Sequence, residues 1–316
     1  MSNLEFCPLV SIVIPVYNGA NFLAEAIDSA LAQTYPNVEI LVINDGSKDD
    51  GATEEIAKSY GDKIRYFSKE NGGVSSALNR GIKEMKGEYF SWLSHDDLYL
   101  PQKIEHQIDI LKTMAESAQQ TVLVGDAELI DENRKKIFRP SKRPLGTYTG
   151  LEIFVKLQHD FWGLNGCAML IPKNILNNVG FFDENLRYIQ DYEYWYRIMI
   201  EGFSFMLTEE KNVLNRVHSG QVTARFPDLF YTEIEVVAKR MFERFFETEN
   251  YDYLEPYLCG CAKDLNPVTR QTIPRLKEIK RYPFGLRIKV FRAYSFGFTK
   301  KILKKVYHSI LLKGKR

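Results

Sequence analysis

Glu88-Tyr-Phe-Ser-Trp-Leu-Ser-His-Asp-Asp97 is the stretch on which the fold turns. Tyr89, Phe90, Trp92 and Leu93 make a short, strand-forming apolar run that reads as buried. The run delivers two adjacent carboxylates, Asp96 and Asp97, to its C-terminal end, and Pro101 then suits the first turn of a helix. Two neighbouring anions repel, so the pair is comfortable only in water or beside a cation. Carboxylate oxygens suit Mg2+ or Mn2+, ions that usually keep waters and meet substrate phosphates through one or two carboxylates. Ligands of open α/β sheets sit beyond the carboxyl ends of the strands, so Asp96 and Asp97 are placed for a metal-bridged diphosphate. The ordinary alternative is that Asp97 caps the following helix and Asp96 is solvated.

Upstream, strand and helix signals alternate. Val10-Ser-Ile-Val-Ile-Pro15 is a near-continuous β-branched run, as expected of a strand buried on both faces. Asn18-Gly19 interrupts it, and Phe22, Leu23, Ala26, Ile27, Ala30 and Leu31 then recur at helical spacing. Val38–Ile43 reads as a second strand, 52–59 as a helix, 64–67 as a strand and 74–85 as a helix. This order predicts a parallel, doubly wound sheet. Its strand ends would carry Pro15-Val-Tyr17, Asn44-Asp45-Gly46-Ser47 and Asp96-Asp97 to one edge. There Tyr17 can stack on a nucleobase, Asp45 can accept from a base N–H, and Asn71-Gly-Gly73 lets the backbone approach a ligand. Each has a plainer reading: Tyr17 as core, Asp45-Gly46 as a turn, Gly72-Gly73 as a loop. Neither G-x-G-x-x-G nor G-x-x-x-x-G-K-[ST] occurs, so dinucleotide and P-loop sites are unsupported.

The 316 residues suffice for one large domain with an appendage, and 45% apolar with 26% charged residues is ordinary for a soluble globular protein. The net charge of +1 hides a split. From Arg270 to Arg316 there are 15 cations and one acid, Glu278, which leaves 27 cations against 40 acids before it. An acidic body with a basic tail implies a local partner for the tail. Cys7, Cys167, Cys259 and Cys261 lack zinc-site spacing. With no signal peptide evident, the expectation is reduced thiols and a cytoplasmic protein. No run approaches 18 apolar residues, so no membrane span is expected.

Val10-Ser-Ile-Val-Ile-Pro-Val-Tyr-Asn18, Asn44-Asp-Gly-Ser47, Asn71-Gly-Gly-Val-Ser-Ser-Ala-Leu-Asn79 and Ser94-His-Asp-Asp97 with Pro101 together resemble family 2 glycosyltransferases of the GT-A fold, over about residues 9–223. The resemblance implies a mainly parallel α/β sheet sandwiched by helices. It also implies inverting transfer of a sugar from a nucleoside diphosphate donor to a hydroxyl, with Mn2+ or Mg2+ as cofactor. On it Pro15, Tyr17, Asp45, Gly73 and Asp96 would bind the donor nucleotide, and Asp96, Asp97 and His218 the metal. The family's D-x-D-D reads Ser94-His95-Asp96-Asp97 here, so its first acid is missing. Asp191, in Gln190-Asp191 ahead of an aromatic helix, matches the general base. Direct displacement at the anomeric carbon needs such a carboxylate opposite the leaving diphosphate. Its plainer reading is a cap on the helix from Tyr192.

Between these motifs, 121–126 reads as a strand, 137–149 as a basic, Pro-containing loop, 150–157 as a short helix and 167–171 as a strand. Trp162 and Asn165 would line an acceptor pocket, although such a Trp is more often core. Arg216 offers an alternative to His218 as a phosphate-neutralising group. The expected division is a glycosyltransferase domain at 1–225 and a helical C-terminal region at 226–316. Within the latter, Val290, Tyr294, Phe298, Ile302, Val306 and Ile310 recur every four residues, with lysines on other faces. Such a basic amphipathic helix reads as membrane-surface or partner-binding, so residues 284–316 are expected to dock on the inner face of the cell membrane; the plainer reading is a helix packed on the body with its lysines in water. A glycan or lipid-linked acceptor follows from that placement, as in bacterial surface polysaccharide assembly, and a UDP-sugar donor from Asp45 and Tyr17. Nucleic acid is not expected: the body is acidic and no reading motif is present. The rivals are a non-catalytic GT-A-like binding module and a nucleotidyltransferase, which would want a Gly- and Lys/Arg-rich loop that Pro15–Phe22 lacks.

Overall fold

The computed structural model describes residues 6–138, 143–159 and 163–221, and beyond them 229, 232–234, 236, 237, 240, 241, 244, 245 and 251–253. The chain divides into two compact units, one of residues 1–150 with 162–226, the other of 151–161 with 227–316. In the first unit the strands are β1 (Val10–Val16), β2 (Val38–Asn44), β3 (Arg65–Ser68), β4 (Tyr89–Trp92), β5 (Leu98–Tyr99), β6 (Thr121–Ile130), β7 (Lys136–Ile137), β8 (Gly146–Tyr148), β9 (Met169–Pro172) and β10 (Ser204–Arg216). The α-helices with defined bounds among the described residues are α1 (Leu23–Leu31), α2 (Ala52–Ser59), α3 (Val74–Glu84), α4 (Lys103–Met114), α5 (Gly150–His159), α6 (Lys173–Val179) and α7 (Gln190–Ile200).

The sheet runs β3-β2-β1-β4-β9-β6-β10-β5, with β7 beside β6 and β8 beside β10. Its first four strands are parallel, as the strand–helix alternation requires: β1 pairs with β2 from Val10↔Val38 to Val16↔Asn44 and with β4 from Val10↔Tyr89 to Val13↔Trp92. Their carboxyl ends therefore share an edge, which collects Tyr17, Asp45 and the Ser94–Asp97 turn. All seven residues of β1 are buried, since helices cover both faces of a parallel sheet. α3 packs on β1 so closely that a Cβ on Gly81 would lie 2.3 Å from Val13 Cγ1.

The second half is mixed. β9 enters antiparallel to both β4 and β6, while β6 and β10 run parallel. β10 also pairs antiparallel with β5, Leu214 opposite Leu98. That register decides the site, because it brings Asn215, Arg216 and then His218 against the turn that ends in Asp97. The sequence does not anticipate α6, and it anticipates β10 only as a strand of undefined extent ahead of His218. β10 carries Thr208-Glu-Glu-Lys211 at its middle, where its register against β6 shifts, so no clean alternation is visible. α6 is only seven residues with three asparagines, poor helix formers. The stretch 137–149, expected as loop, contributes the short strands β7 and β8; residues 139–142 lie outside the described residues. In the second unit, Phe154 of α5 meets Phe245 and Tyr253 edge-on, at ring separations of 5.9 and 5.1 Å. Among the described residues no helix is long and apolar enough to cross a membrane.

Candidate active site

At the end of β2 the chain folds Asp45 inward, onto the loop after β3. Its Oδ1 accepts from Lys69 Nζ (2.7 Å) and Gly72 N (3.0 Å), and Oδ2 from Gly73 N (2.7 Å). The carboxylate is buried yet retains one lone pair on Oδ2 for a further donor. Two glycines permit the arrangement. Gly46 has φ +70° and a Cβ there would lie 2.7 Å from Asn71 N; Gly73, at φ +88°, starts α3 with its N–H on Asp45. Asp45 N in turn donates to Val16 O (2.8 Å), tying the end of β2 to that of β1. Pro15 is buried within β1 opposite Ile43 and acts as wall. Tyr17, the first residue past β1, is 42% exposed on the edge and is not core. Nor is Asp45-Gly46 a plain turn.

The two carboxylates after β4 part company. Asp96 Oδ2 lies 3.0 Å from His218 Nε2, and Gly220 N–H donates to His218 Nδ1 (3.2 Å), so the neutral ring carries its proton towards Asp96. Asp97 turns the other way and is 2% exposed. Its oxygens accept from Asn215 Nδ2 (2.9 and 3.0 Å), Arg216 N (2.8 Å) and Cys167 Sγ (3.3 Å). Burial, and then the charge of Asp96, push its pKa upward. The expectation that Asp97 ligates a metal is thus corrected. Its lone pairs are taken by β10 and Cys167, and it braces the turn that presents Asp96. It is not a helix cap either, because α4 begins at Lys103 after Gln102.

Arg216 is also corrected. Its guanidinium is buried over the Phe22 ring (4.4 Å) and donates to Glu25 Oε2 (2.7 Å), Asp96 O (2.9 Å) and Glu132 O (2.9 Å). It is a strut between strand end and α1, with no free edge for phosphate. Among the described residues no cluster of three or more His, Cys, Asp or Glu could hold a metal ion. For His218 Nε2 to ligate a cation such as Mn2+ beside Asp96, its proton must move to Nδ1 and the Gly220 N–H must turn away; the pair would then offer one O and one N donor, with water and phosphate oxygens left to complete the shell.

Asp191 lies in the first turn of α7, one residue inside its start, with Oδ1 accepting from Tyr192 N (2.8 Å). Burial pushes its pKa up to about 6. Glu193 is spent in a bidentate pair with Arg197 (2.8 and 3.0 Å), whereas no ion pair is seen for Asp191 among the described residues. Further along α7, Trp195 packs towards β4: Gly166 fits between it and Trp92, where a Cβ would lie 3.3 and 2.7 Å from their rings. Asn165, expected in an acceptor pocket, uses Oδ1 to accept from Cys167 N (2.8 Å) and shapes that turn. Trp162 lies outside the described residues.

Sequence reading missed Lys69, Asn215, Cys167 and Lys103. Lys69 stands directly after β3, where a lone Lys belongs to no motif. The other three are recognisable only once β10, β9 and α4 are placed in space.

Residues 11–186 match Glycosyl transferase family 2, more than half of the chain, and the chain belongs to that family. It is 50% identical over 225 residues to an uncharacterized glycosyltransferase of Rickettsia typhi, covering 71% of this chain and 68% of that one. An uncharacterized glycosyltransferase of Rickettsia bellii is 57% identical over 194 residues, 61% of this chain but 28% of that protein, so the chain spans under a third of that relative. Among solved structures, Staphylococcus aureus TarS residues 1–349 in complex with UDP-GlcNAc aligns with a TM-score of 0.60 at 15% identity, covering 94% of this chain and 92% of that one. At that identity the likeness concerns the fold alone, and the fold is GT-A.

Proposed function

We propose that the chain is an inverting, metal-dependent glycosyltransferase that moves a sugar from a UDP-sugar to a hydroxyl of a glycan or lipid-linked acceptor. One observation carries the reading: a buried carboxylate with a spare acceptor site, Asp45, shares a sheet edge with the Asp96–His218 donor pair. Uracil presents an N3–H to a carboxylate, and exposed Tyr17 offers it a ring to stack on. Thymine has the same N–H, so a dTDP-sugar is the nearest competitor. The TarS structure with UDP-GlcNAc supports a uridine donor by analogy of fold.

Transfer then proceeds in one displacement. Asp191 accepts the proton of the acceptor hydroxyl as its oxygen attacks the anomeric carbon. The bond from that carbon to the diphosphate oxygen breaks on the opposite side, and its electron pair leaves with the phosphate. Asp96 and His218 would hold a divalent cation, whose charge offsets that of the departing diphosphate. Raising the Asp191 pKa makes it a stronger base than an ordinary Asp while keeping it mostly ionised at neutral pH. Asp45, Asp96, Asp191 and His218 all belong to the unit of residues 1–150 and 162–226; the basic 284–316 segment, outside the described residues, supports an acceptor at a membrane surface.

Thermal melts with UDP-, dTDP- and GDP-sugars, each with and without Mn2+, test the reading. A rise in melting temperature confined to UDP-sugars with Mn2+ is the expected result. No rise with any nucleotide, at millimolar concentration, removes it in favour of a non-catalytic module.

A further inference from the structure

The strand that presents Asp96 leaves its neighbour before it reaches the site. β4 pairs with β9 only at Tyr89↔Pro172 and Phe90↔Ile171, while Leu170 and Met169 of β9 pair across to β6. Ser91 and Trp92 are thus left without ladder partners on that side, and a fork opens between the strands. Nζ of Lys103, the first residue of α4, fills it, and the side chain is 0% exposed. It donates to Ser91 Oγ on β4 (2.7 Å), Met169 O on β9 (3.1 Å) and Gln107 Oε1 on its own helix (3.0 Å). Three acceptors use all three ammonium hydrogens. The charge lies 4.3 Å above the Tyr99 ring, whose hydroxyl donates to Trp92 O (2.6 Å). Gln107 Nε2 ties the helix further to Ala168 O (3.0 Å).

Among the described residues no carboxylate pairs with Lys103; the titratable groups facing it are the Tyr99 phenol and the Cys167 thiol. An ammonium buried among neutral acceptors is costly to desolvate, and an apolar side chain of similar length would fill the space at lower cost. Packing alone therefore does not account for it. What the fork holds is the next stretch of each strand. Past Trp92 come Ser94, Asp96 and Asp97. Just before Met169 comes Cys167, whose Sγ accepts from Ser94 N (3.4 Å) and donates to Asp97 Oδ2 (3.3 Å).

We propose that Lys103 is a positioning residue for sugar transfer: its ammonium fixes the fork between β4 and β9, and through Cys167 and Asp97 the placing of Asp96 opposite His218. That role presupposes transfer at this edge, as proposed above. Burial lowers the Lys103 pKa to about 7, opposed by the nearby Cys167. One leg of the tripod is accordingly lost as pH rises through that range, and turnover declines with it.

The test uses the full chain with Mn2+ and whichever UDP-sugar is turned over. Lys103→Met is expected to melt at or above the wild-type temperature below pH 7, because a buried charge is gone. Its turnover is expected to fall at least about tenfold, in line with loss of a supporting contact in the site, and the wild-type decline above neutral pH should vanish. Turnover at the wild-type level, or an unchanged alkaline decline, overturns the proposal. If Lys103→Met does not fold, Gln107→Leu, which removes one leg, is judged by its turnover alone: a fall supports the role and wild-type turnover overturns it. A wild-type chain inert towards every UDP-sugar fails the transferase reading itself, and the role of Lys103 falls with it.

Discussion

Asp191 and Asp97 show how far the fate of a carboxylate depends on what surrounds it. Both are pushed upward by burial, but Asp97 is saturated by donors from β10 and Cys167, whereas among the described residues Asp191 accepts only from backbone N–H groups, that of Tyr192 and its own. A base works when ionised, so turnover should rise with pH through about 6 instead of the ordinary Asp range near 4. Asp191→Asn should lower turnover by about 10²–10⁴-fold, the usual worth of a general base, with UDP affinity kept. The sign of the stability effect is opposite. A folded pKa above the unfolded one favours the folded state at low pH, and that advantage is lost as pH rises through about 6. At pH 7.5 the Asn variant should therefore melt no lower than wild type. An active Asp191→Asn, or a rate limb near pH 4, would remove this residue as the base. At this scale the sequence was legible where chemistry sits at a strand end: Tyr17, Asp45 and Asp96 all reach the edge. It could not say which of two adjacent aspartates turns inward, because the donors that decide it, Asn215 and Arg216 N, are more than a hundred residues away.

Elements set those encounters. The parallel half, β1 to β4 with α1 to α3, was readable because buried parallel strands are apolar runs and their crossover helices have clear spacing. The tight seat of α3 on β1 has a measurable consequence. Gly81→Val would push a side chain into Val13, and overpacking of this kind costs about 1–3 kcal/mol. Urea unfolding of this variant should show the loss as a lower midpoint; a wild-type midpoint would mean α3 stands off the sheet. The mixed half was less legible because β10 gains its place from pairing with β6 and β5 rather than from its own pattern. Yet β10 is what carries His218 to Asp96. His218→Ala should weaken Mn2+-dependent binding of UDP by at least about tenfold, comparable to or beyond the loss of a supporting contact around a metal. Metal-free UDP binding should stay as it was. Calorimetric titrations with and without Mn2+ separate the two, and equal Mn2+-dependent affinity in the variant would discount the pair as ligands.

The chain as a whole is electrically divided in a way its net charge conceals. Ten of the cations after Arg270 fall within 284–316, where there is no acid at all. The apolar residues recurring there every four positions predict a helix with one face suited to acyl chains and lysines suited to anionic headgroups. Each cation near such a surface is worth about 1 kcal/mol, so even half of them acting together would hold the chain there reversibly, with an attraction that salt weakens. Residues 1–269 carry an excess of acids that such a surface would repel, so the proposed attachment rests on the tail. Deleting residues 284–316 should therefore abolish cosedimentation with phosphatidylserine-containing vesicles, while UDP binding by the remaining chain is unchanged. Raising salt should release the intact chain from these vesicles, and neutral vesicles should retain little of it. Cosedimentation that survives the deletion would place membrane attachment elsewhere in the molecule, and loss of UDP binding along with it would mean the tail is needed to hold the donor site together.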